Sequence, residues 1–207
     1  GSGTYKSDKF EEDADKVVAY YRDRGYIEAR VGQPELKILE DSKDSKTRFV
    51  ELRIPVTEGQ QYRIGKVDFD GNKIVDSRAL RPLFKINEGD IYSEKLIRKG
   101  FEKAKEVYGT GGYMDFTGYP DLAPRGAPTA NGNGNAGPDP SGPAAPAADK
   151  SGPPIVDVTL RLQEGKQYFV NRITFVGNTT TRDNVIRREI RLFEGNVFNT
   201  EALKYSV

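Results

Sequence analysis

The sequence predicts an α+β fold built from tandem copies of a small β-α-α-β-β module, in which a three-stranded sheet packs on two helices. Three observations support this prediction: an internal repeat, stretches where apolar and polar residues alternate, and intervening stretches with apolar residues at helical spacing. Charged residues make up 30% of the 207 residues and hydrophobic residues only 36%. Several small cores are therefore expected rather than one large core.

The internal repeat relates residues 50–72 to residues 156–178 at a constant offset of 106. An upstream match pairs residues 10–26 with residues 97–113 at an offset of 87. The offset grows between the two matches, at the place where a Pro- and Gly-rich segment lies. This segment therefore interrupts one repeat instead of separating two domains.

Strands are predicted where apolar and polar residues alternate with a period of two. Residues 50–56 and 156–162 follow this pattern, and each stretch ends at a Glu-Gly turn. A further strand is predicted after each turn, over residues 61–70 and 167–176. Phe69 and Phe175 are expected to face inward on these strands.

A longer helix is predicted over residues 10–21 and again over residues 97–108, because apolar residues recur there at spacings of four, three and four. Gly25 and Gly112 follow these stretches, and glycine commonly ends a helix in the left-handed conformation. A short strand is predicted after each glycine. These short strands are Tyr26–Val31 and Tyr113–Gly118.

The predicted organisation has four parts. Residues 1–3 are a cloning remnant, residues 4–60 are the second half of a module (α-β-β), residues 61–165 are a complete module, and residues 166–207 are the first half of a following module. The complete module carries an insertion, residues 124–154, which contains eight of the twelve prolines. The insertion is expected to be disordered, because its few apolar side chains cannot offset the entropy of ordering it.

The composition argues against several functions. The chain has no histidine and no cysteine, which removes the commonest general base, the thiol nucleophile and the commonest metal ligands. No enzyme activity, metal site or cofactor is predicted. A net charge of +1 disfavours a nucleic-acid binder. A small α/β RNA-binding module stays open as an alternative, although its basic cluster Arg187-Arg188 is small and the sheet aromatics are expected to face inward.

The repeat resembles the POTRA modules of the BamA-like outer-membrane protein assembly factor family. The segment order matches the second half of the third module, the whole fourth and the first half of the fifth. Two features depart from the family pattern, namely the insertion and Pro82, which interrupts a predicted helix. The resemblance rests on residues 22–26 (RDRGY), 56–62 (VTEGQQY), 68–72 (DFDGN), 168–173 (YFVNRI) and 185–191 (VIRREIR).

The resemblance implies a non-catalytic scaffold with chaperone-like behaviour in the periplasm of a Gram-negative-type bacterium. It implies two kinds of partner: unfolded outer-membrane proteins, bound by strand augmentation, and periplasmic lipoprotein subunits of the assembly complex. It also implies that a β-barrel outside these 207 residues anchors the full-length protein in the outer membrane. POTRA modules also occur in two-partner secretion transporters and in a cell-division protein, and these remain alternatives within the family.

Two sets of candidate site residues follow from the resemblance. The client-binding edge is expected on the second strand of a module, and a solvated or blocked edge is the alternative. The partner-binding set is Arg187, Arg191 and Glu194, which share a helix face if the helix continues to Glu194; the alternative is a solvated face, since Arg81, Lys85 and Glu88 occupy the equivalent positions. The expected edge residues are Tyr26, Ile27, Glu28, Ala29 and Arg30, and Tyr113, Met114, Asp115, Phe116 and Thr117.

The half modules at the two ends of the sequence predict one more interaction. Residues 4–60 lack a first strand and helix, and residues 166–207 offer those elements. Head-to-tail complementation between two copies of the chain is therefore one expectation, and frayed ends are the alternative.

Overall fold

The computed structural model describes residues 7–41, 48–125 and 152–206. Helices alternate with small sheets along the chain. The helices are α1 (Ser7–Arg22), α2 (Ser77–Leu80), α3 (Glu94–Thr110), α4 (Asp183–Glu189) and α5 (Thr200–Lys204), with a 3-10 turn at Arg81–Leu83. The strands are β1 (Arg30–Val31), β2 (Glu35–Asp41), β3 (Arg48–Arg53), β4 (Val56–Thr57), β5 (Arg63–Asp70), β6 (Thr117–Pro124) and β7 (Ile155–Gln163).

The described chain divides into two compact units. One unit contains the described residues of the ranges 1–65, 88–94 and 124–156. The other contains those of 66–87, 95–123 and 157–207, so the second repeat contributes to both units.

The second repeat carries a three-stranded sheet in the order β5-β7-β6, with β7 in the middle. Its strand β7 alternates regularly, and the side chains on one face are buried. These buried side chains are Val156, Val158, Leu160 and Leu162.

Aromatic rings pack tightly beneath this sheet in the second unit. Phe84 contacts Phe69 and Phe101 edge to face, with ring centroids 5.6 and 5.0 Å apart. Gly100 of α3 allows this packing, because a Cβ there would lie 2.2 Å from the Phe84 ring. Phe69 therefore faces inward as predicted.

The helix that contains Pro82 is short for a local reason. The Asp76 carboxylate caps α2 by accepting from the Arg78 N–H at 2.7 Å. The chain then tightens into the 3-10 turn, where Pro82 occupies an early position that needs no N–H donor.

The first repeat has two-stranded antiparallel sheets, in which β1 pairs with β4 and β2 pairs with β3. The apolar side chains of the β3–β4 region are exposed: Val50 is 41% and Val56 is 42% accessible, whereas the equivalent Val156 and Leu162 are 0% and 5% accessible. Complementation of this half module by a second copy of the chain stays a prediction.

The strand predicted over residues 167–176 is not formed. Only an isolated bridge between Phe169 and Val197 is present there. A strand needs a neighbour for its N–H and C=O groups, and no described strand lies beside residues 171–176.

The predicted insertion falls mostly on residues 126–151, which lie outside the described residues. The residues that flank it are ordered as the ends of a hairpin. The Arg125 N–H donates to the Ile155 carbonyl at 2.8 Å, directly after β6 and at the start of β7.

Candidate functional site

The predicted edge segments begin with turns, and the strands start later than expected. Residues 113–116 form a turn before β6, in which the Met114 N–H donates to the Gly112 carbonyl at 3.1 Å. Of the predicted set in the second repeat, only Thr117 is in a strand. The Phe116 ring, 2% accessible, stacks on Tyr108 with centroids 4.3 Å apart, which draws this segment into the core.

The first repeat shows the same shift. Residues 26–29 form a turn closed by the Ala29 N–H, which donates to the Tyr26 carbonyl at 3.2 Å. Ala29 is 4% accessible, and Arg30 is the first strand residue. The prediction that Tyr26, Ile27, Glu28 and Ala29 lie on an edge strand is therefore wrong.

Strand β6 nevertheless lies at an edge of the three-stranded sheet. Among the described strands its only neighbour is β7. Its side chains alternate between exposed and half-buried, and Tyr119 is 51% accessible. The second strand of this repeat is thus an edge strand, four residues further along the chain than predicted.

The opposite edge strand, β5, is partly covered. The Ile64 N–H donates to the Asp90 carbonyl at 2.8 Å, and the Ile64 carbonyl accepts from the Gly89 N–H at 2.7 Å. The Tyr92 N–H donates to the Tyr62 carbonyl at 3.1 Å. Residues 89–92 therefore occupy the outward backbone groups at the start of β5, where an added strand would otherwise pair.

A set of hydrogen bonds that we call the first joint links the end of one repeat to the start of the next. The Tyr62 N–H donates to the Gly25 carbonyl at 2.8 Å. The Tyr21 hydroxyl donates to Glu58 at 2.8 Å, and the Tyr62 hydroxyl donates to Glu28 at 3.1 Å. The hydrogen bond to Glu58 raises the pKa of the Tyr21 phenol, and burial together with the hydrogen bond to Glu28 raises the pKa of the Tyr62 phenol.

The second joint, in the second unit, has the same bonds. The Tyr168 N–H donates to the Gly112 carbonyl at 2.8 Å. The Tyr108 hydroxyl donates to Glu164 at 2.7 Å, and the Tyr168 hydroxyl donates to Asp115 at 2.9 Å. Burial and the bond to Glu164 raise the pKa of the Tyr108 phenol, so this hydroxyl stays protonated as a donor.

Glycine is required at the centre of both joints. Gly25 has φ 91° and Gly112 has φ 85°, the left-handed conformation that was predicted for a glycine at the end of a helix. A Cβ at Gly25 would lie 2.9 Å from Ile91, and one at Gly112 would lie 2.6 Å from Val197. The two joints therefore share backbone conformation, bonding and close approach.

A concavity of about 280 Å³ lies beside the turn that precedes β6. Asp115 is held there by its bond to the Tyr168 hydroxyl. Phe169 is 59% accessible. The equivalent residue in the preceding repeat is Arg63, whose guanidinium donates to the Gly89 carbonyl at 2.8 Å. The lining residues are Met114, Asp115, Tyr168, Phe169 and Phe198.

The partner-binding candidates do not share a helix face. Helix α4 ends at Glu189, because Ile190 is extended with φ −92° and ψ 135°. Arg191 and Glu194 therefore lie beyond the helix. The chain turns to bring the Gly195 N–H within 2.6 Å of the Val170 carbonyl, and a helix continued to Glu194 would not make this contact.

The structure still brings two of the three candidates together. Arg187 donates to Glu194 at 3.2 Å and to the Ile173 carbonyl at 2.8 Å. The Ile173 N–H donates to Glu194 at 3.0 Å. This N–H, followed by the Arg187 guanidinium, holds the pKa of the Glu194 carboxyl below its ordinary value. The bonds to Glu194 are present at neutral pH and are lost on acidification through the lowered pKa.

Arg191 lies apart from this pair. Its guanidinium is 5.4 Å from the centroid of the Tyr205 ring, and the backbone N–H of Arg191 donates to the Ser206 hydroxyl at 2.9 Å.

An apolar concavity of about 200 Å³ adjoins the Arg187–Glu194 pair. Phe193 is 63% accessible, and the Arg187 guanidinium lies 5.3 Å from the centroid of the Phe175 ring. An apolar centre with a charged rim is a common anatomy for a protein-binding surface. The apolar lining residues are Ile173, Phe175, Ile190, Leu192 and Phe193.

The repeat-equivalent arginine has different bonds. Arg81 donates to the carbonyls of Phe84 and Ile86 at 3.0 and 2.6 Å, and it is part-buried. Arg81 thus holds the backbone of its own repeat, whereas the side chain of Arg187 is 44% exposed.

Two further features concern the described ranges as a whole. They contain no group of three or more acidic, histidine or cysteine side chains that could hold a metal ion. None of their helices has the length and apolar character required to cross a bilayer.

Comparison with known proteins decides the family. A family model for POTRA, described as "Surface antigen variable number repeat", matches residues 1–59, 62–165 and 168–207. The chain belongs to the POTRA family. The predicted resemblance to POTRA modules of BamA-like proteins and the predicted α+β class are confirmed.

The chain is similar to two curated proteins named outer membrane protein assembly factor BamA. It is 27% identical to the protein of Neisseria meningitidis serogroup B over 206 residues, which cover 99% of the chain and 22% of that protein. It is 24% identical to the protein of Nitratidesulfovibrio vulgaris over 210 residues, which cover 100% of the chain and 22% of that protein. The POTRA chain thus spans about a fifth of the length of these relatives.

Solved structures share the fold. The crystal structure of Haemophilus influenzae BamA POTRA3-5 matches with a TM-score of 0.61 at 19% identity, over 99% of this chain and 69% of that chain. BamA from Haemophilus ducreyi lacking POTRA domains 1-3 matches with a TM-score of 0.51 at 17% identity, over 81% and 25% of the two chains.

Glu28 and Asp115 of the joints were predicted only as members of an edge strand, and the other carboxylates and the tyrosines of the joints were not predicted as functional residues. The repeat contained their signal, since Glu58 and Tyr62 recur as Glu164 and Tyr168. Periodicity describes single elements, and it does not show which side chains meet across a repeat boundary.

Proposed function

We propose that this chain is part of the non-catalytic periplasmic scaffold of an outer-membrane protein assembly factor. In this role it binds unfolded β-barrel clients along the outer edge of β6 and docks a lipoprotein subunit at the Arg187–Glu194 pair. The observation that carries the proposal is the position of β6 at the edge of the sheet, within a chain of the POTRA family. The names of the curated relatives support the assembly role.

Edge pairing suits a protein that handles many clients. An edge strand presents unpaired N–H and C=O groups, and an extended peptide completes them with backbone hydrogen bonds that demand little of its sequence. The covered start of β5 leaves β6 as the more accessible edge of this sheet.

A labelled peptide from an outer-membrane β-strand tests the client site. We expect binding to the 207-residue chain in the micromolar range, typical of a weak backbone-mediated contact, with slower amide hydrogen exchange at Gly118 and Leu122 of β6. Fluorescence anisotropy measures the affinity, and NMR measures the exchange. Binding that leaves the amides of β6 unprotected would place the client elsewhere.

Charge reversal tests the docking surface. Glu194→Lys removes the acceptor of both the Ile173 N–H and Arg187, and it places two cations together. We expect about tenfold weaker binding of the lipoprotein subunit. Glu88→Lys, at the equivalent position of the preceding repeat, is the matched control and is expected to leave the affinity unchanged. Equal affinities for the wild type and both variants, measured by surface plasmon resonance, would rule out this docking surface.

A further inference from the structure

We propose that Pro120 interrupts the outer edge of β6 and thereby limits how tightly and how far an extended chain can pair with it. This inference rests on the proposed client site and names the residue that limits the affinity of that site for an extended client. It follows from the register of the hairpin, which determines the backbone groups that face outward.

The register comes from two contacts at opposite ends of the hairpin. Arg125 donates its N–H to the Ile155 carbonyl, and the Thr117 hydroxyl contacts the Gln163 side chain at 3.3 Å. Strands β6 and β7 are therefore antiparallel, and Arg125 and Ile155 are a hydrogen-bonded pair. Such pairs recur at every second residue. The odd-numbered residues of β6 consequently direct their N–H and C=O groups toward β7.

The even-numbered residues of β6 direct their backbone groups to the outer edge. These residues are Gly118, Pro120, Leu122 and Pro124. All four offer a carbonyl, but proline has no N–H, so only Gly118 and Leu122 offer donors. The placement agrees with the general confinement of strand prolines to positions where the missing donor faces solvent.

Pro120 acts on an added strand in two ways. The carbonyl of the added strand opposite Pro120 finds no donor, and the ring carbon bonded to the proline nitrogen occupies the space where that carbonyl would approach. Pairing is therefore broken between Gly118 and Leu122, which lie only four residues apart. An extended client is held by separate short contacts, and the edge is a poor template for another copy of this chain.

The two edges of the sheet are thus protected by different means. Residues 89–92 cover the start of β5, whereas no described segment covers β6. An uncovered edge with alternating side chains promotes edge-to-edge association unless something interrupts it. Pro120 provides that interruption and still leaves two donors and four acceptors for transient pairing.

Pro120→Ala restores the missing donor without adding a large side chain. We expect it to bind the outer-membrane strand peptide about fivefold more tightly than the wild type, the effect of roughly one net backbone hydrogen bond. NMR is expected to show that the peptide slows amide exchange at residue 120 as well as at Gly118 and Leu122. Analytical ultracentrifugation is expected to show concentration-dependent self-association of the variant. Pro34→Ala removes a proline outside the strands and is the control.

Each result decides a different point. Equal peptide affinities for the wild type, Pro120→Ala and Pro34→Ala would overturn the role of Pro120 and leave the client site intact. Binding by Pro120→Ala alone would support the blocking role of the proline and overturn the client site in the natural chain. No binding and no self-association by any of the three would overturn both. Thermal unfolding of each variant checks that the fold is kept.

Discussion

Replacing Gly71 with alanine is expected to lower the free energy of unfolding by about 2 to 5 kcal/mol. Gly71 follows β5 with φ 85°, a conformation that costs other L-residues energy. A Cβ at this position would also lie 2.1 Å from the carbonyl oxygen of Leu162 in β7. The backbone of the central strand must shift to relieve this overlap, and the core side chains of β7 would shift with it.

Gly177 provides a matched control within the same chain. It is the repeat equivalent of Gly71 and has φ 81°, but apart from its two chain neighbours no described residue has an atom within 4 Å of the position of its Cβ. Gly177→Ala is therefore expected to lower the free energy of unfolding by about 1 kcal/mol, because only the left-handed backbone conformation opposes the substitution. Urea unfolding followed by circular dichroism measures both variants. Equal costs would show that contact with Leu162 contributes nothing.

The second large effect is expected at Glu164 of the second joint. This carboxylate accepts from the Tyr108 hydroxyl at 2.7 Å and from the Ile74 N–H at 2.9 Å. Tyr108 is 1% accessible, so its hydroxyl finds little water when Glu164 is removed. Glu164→Ala is expected to lower the free energy of unfolding by about 1 to 3 kcal/mol, the usual cost of a buried donor left without a partner.

Two comparisons separate the hydrogen bond from other effects of the substitution. Glu58→Ala, at the equivalent position of the first joint, loses an exposed bond from Tyr21 and is expected to cost less than about 1 kcal/mol. Adding Tyr108→Phe to Glu164→Ala removes the stranded donor and is expected to recover part of the lost stability, as thermal unfolding would show. A double variant that is less stable than Glu164→Ala would contradict this account.

The repeat made most of the fold predictable. Equivalent positions reinforce each other, so the sequence alone predicts that Gly25 and Gly112 lie at helix ends, and both have positive φ. The α+β class and the inward position of Phe69 followed from periodicity in the same way. These features depend on residues close in the sequence, and their signal appears twice.

The shifted edge strand was not predictable from local pattern. Residues 113–116 contain no proline or glycine that would predict a turn. Stacking of Phe116 on Tyr108 and the bond between Asp115 and Tyr168 hold them in a turn instead. Contacts between residues far apart in the sequence outweigh strand propensity here.

The end of α4 has a similar explanation. Ile190 and Phe193 continue the apolar spacing of the helix, which predicted that Arg191 and Glu194 lie on it. The turn at Gly195 and its bond to Val170 require an extended path from Ile190 onward. The Arg187–Glu194 pair forms all the same, because the turn returns the carboxylate to the helix end.

The hairpin bond between Arg125 and Ile155 has a consequence for how this chain varies over evolutionary time. The pairing of β6 with β7 extends to Arg125 and Ile155, which flank residues 126–154. Each doubling of the length of a connection adds only about 0.6 kcal/mol to the entropic cost of closing it. Insertions, deletions and substitutions between these two residues are therefore expected to leave the pairing of the sheet intact. A reporter domain inserted there is expected to be tolerated for the same reason.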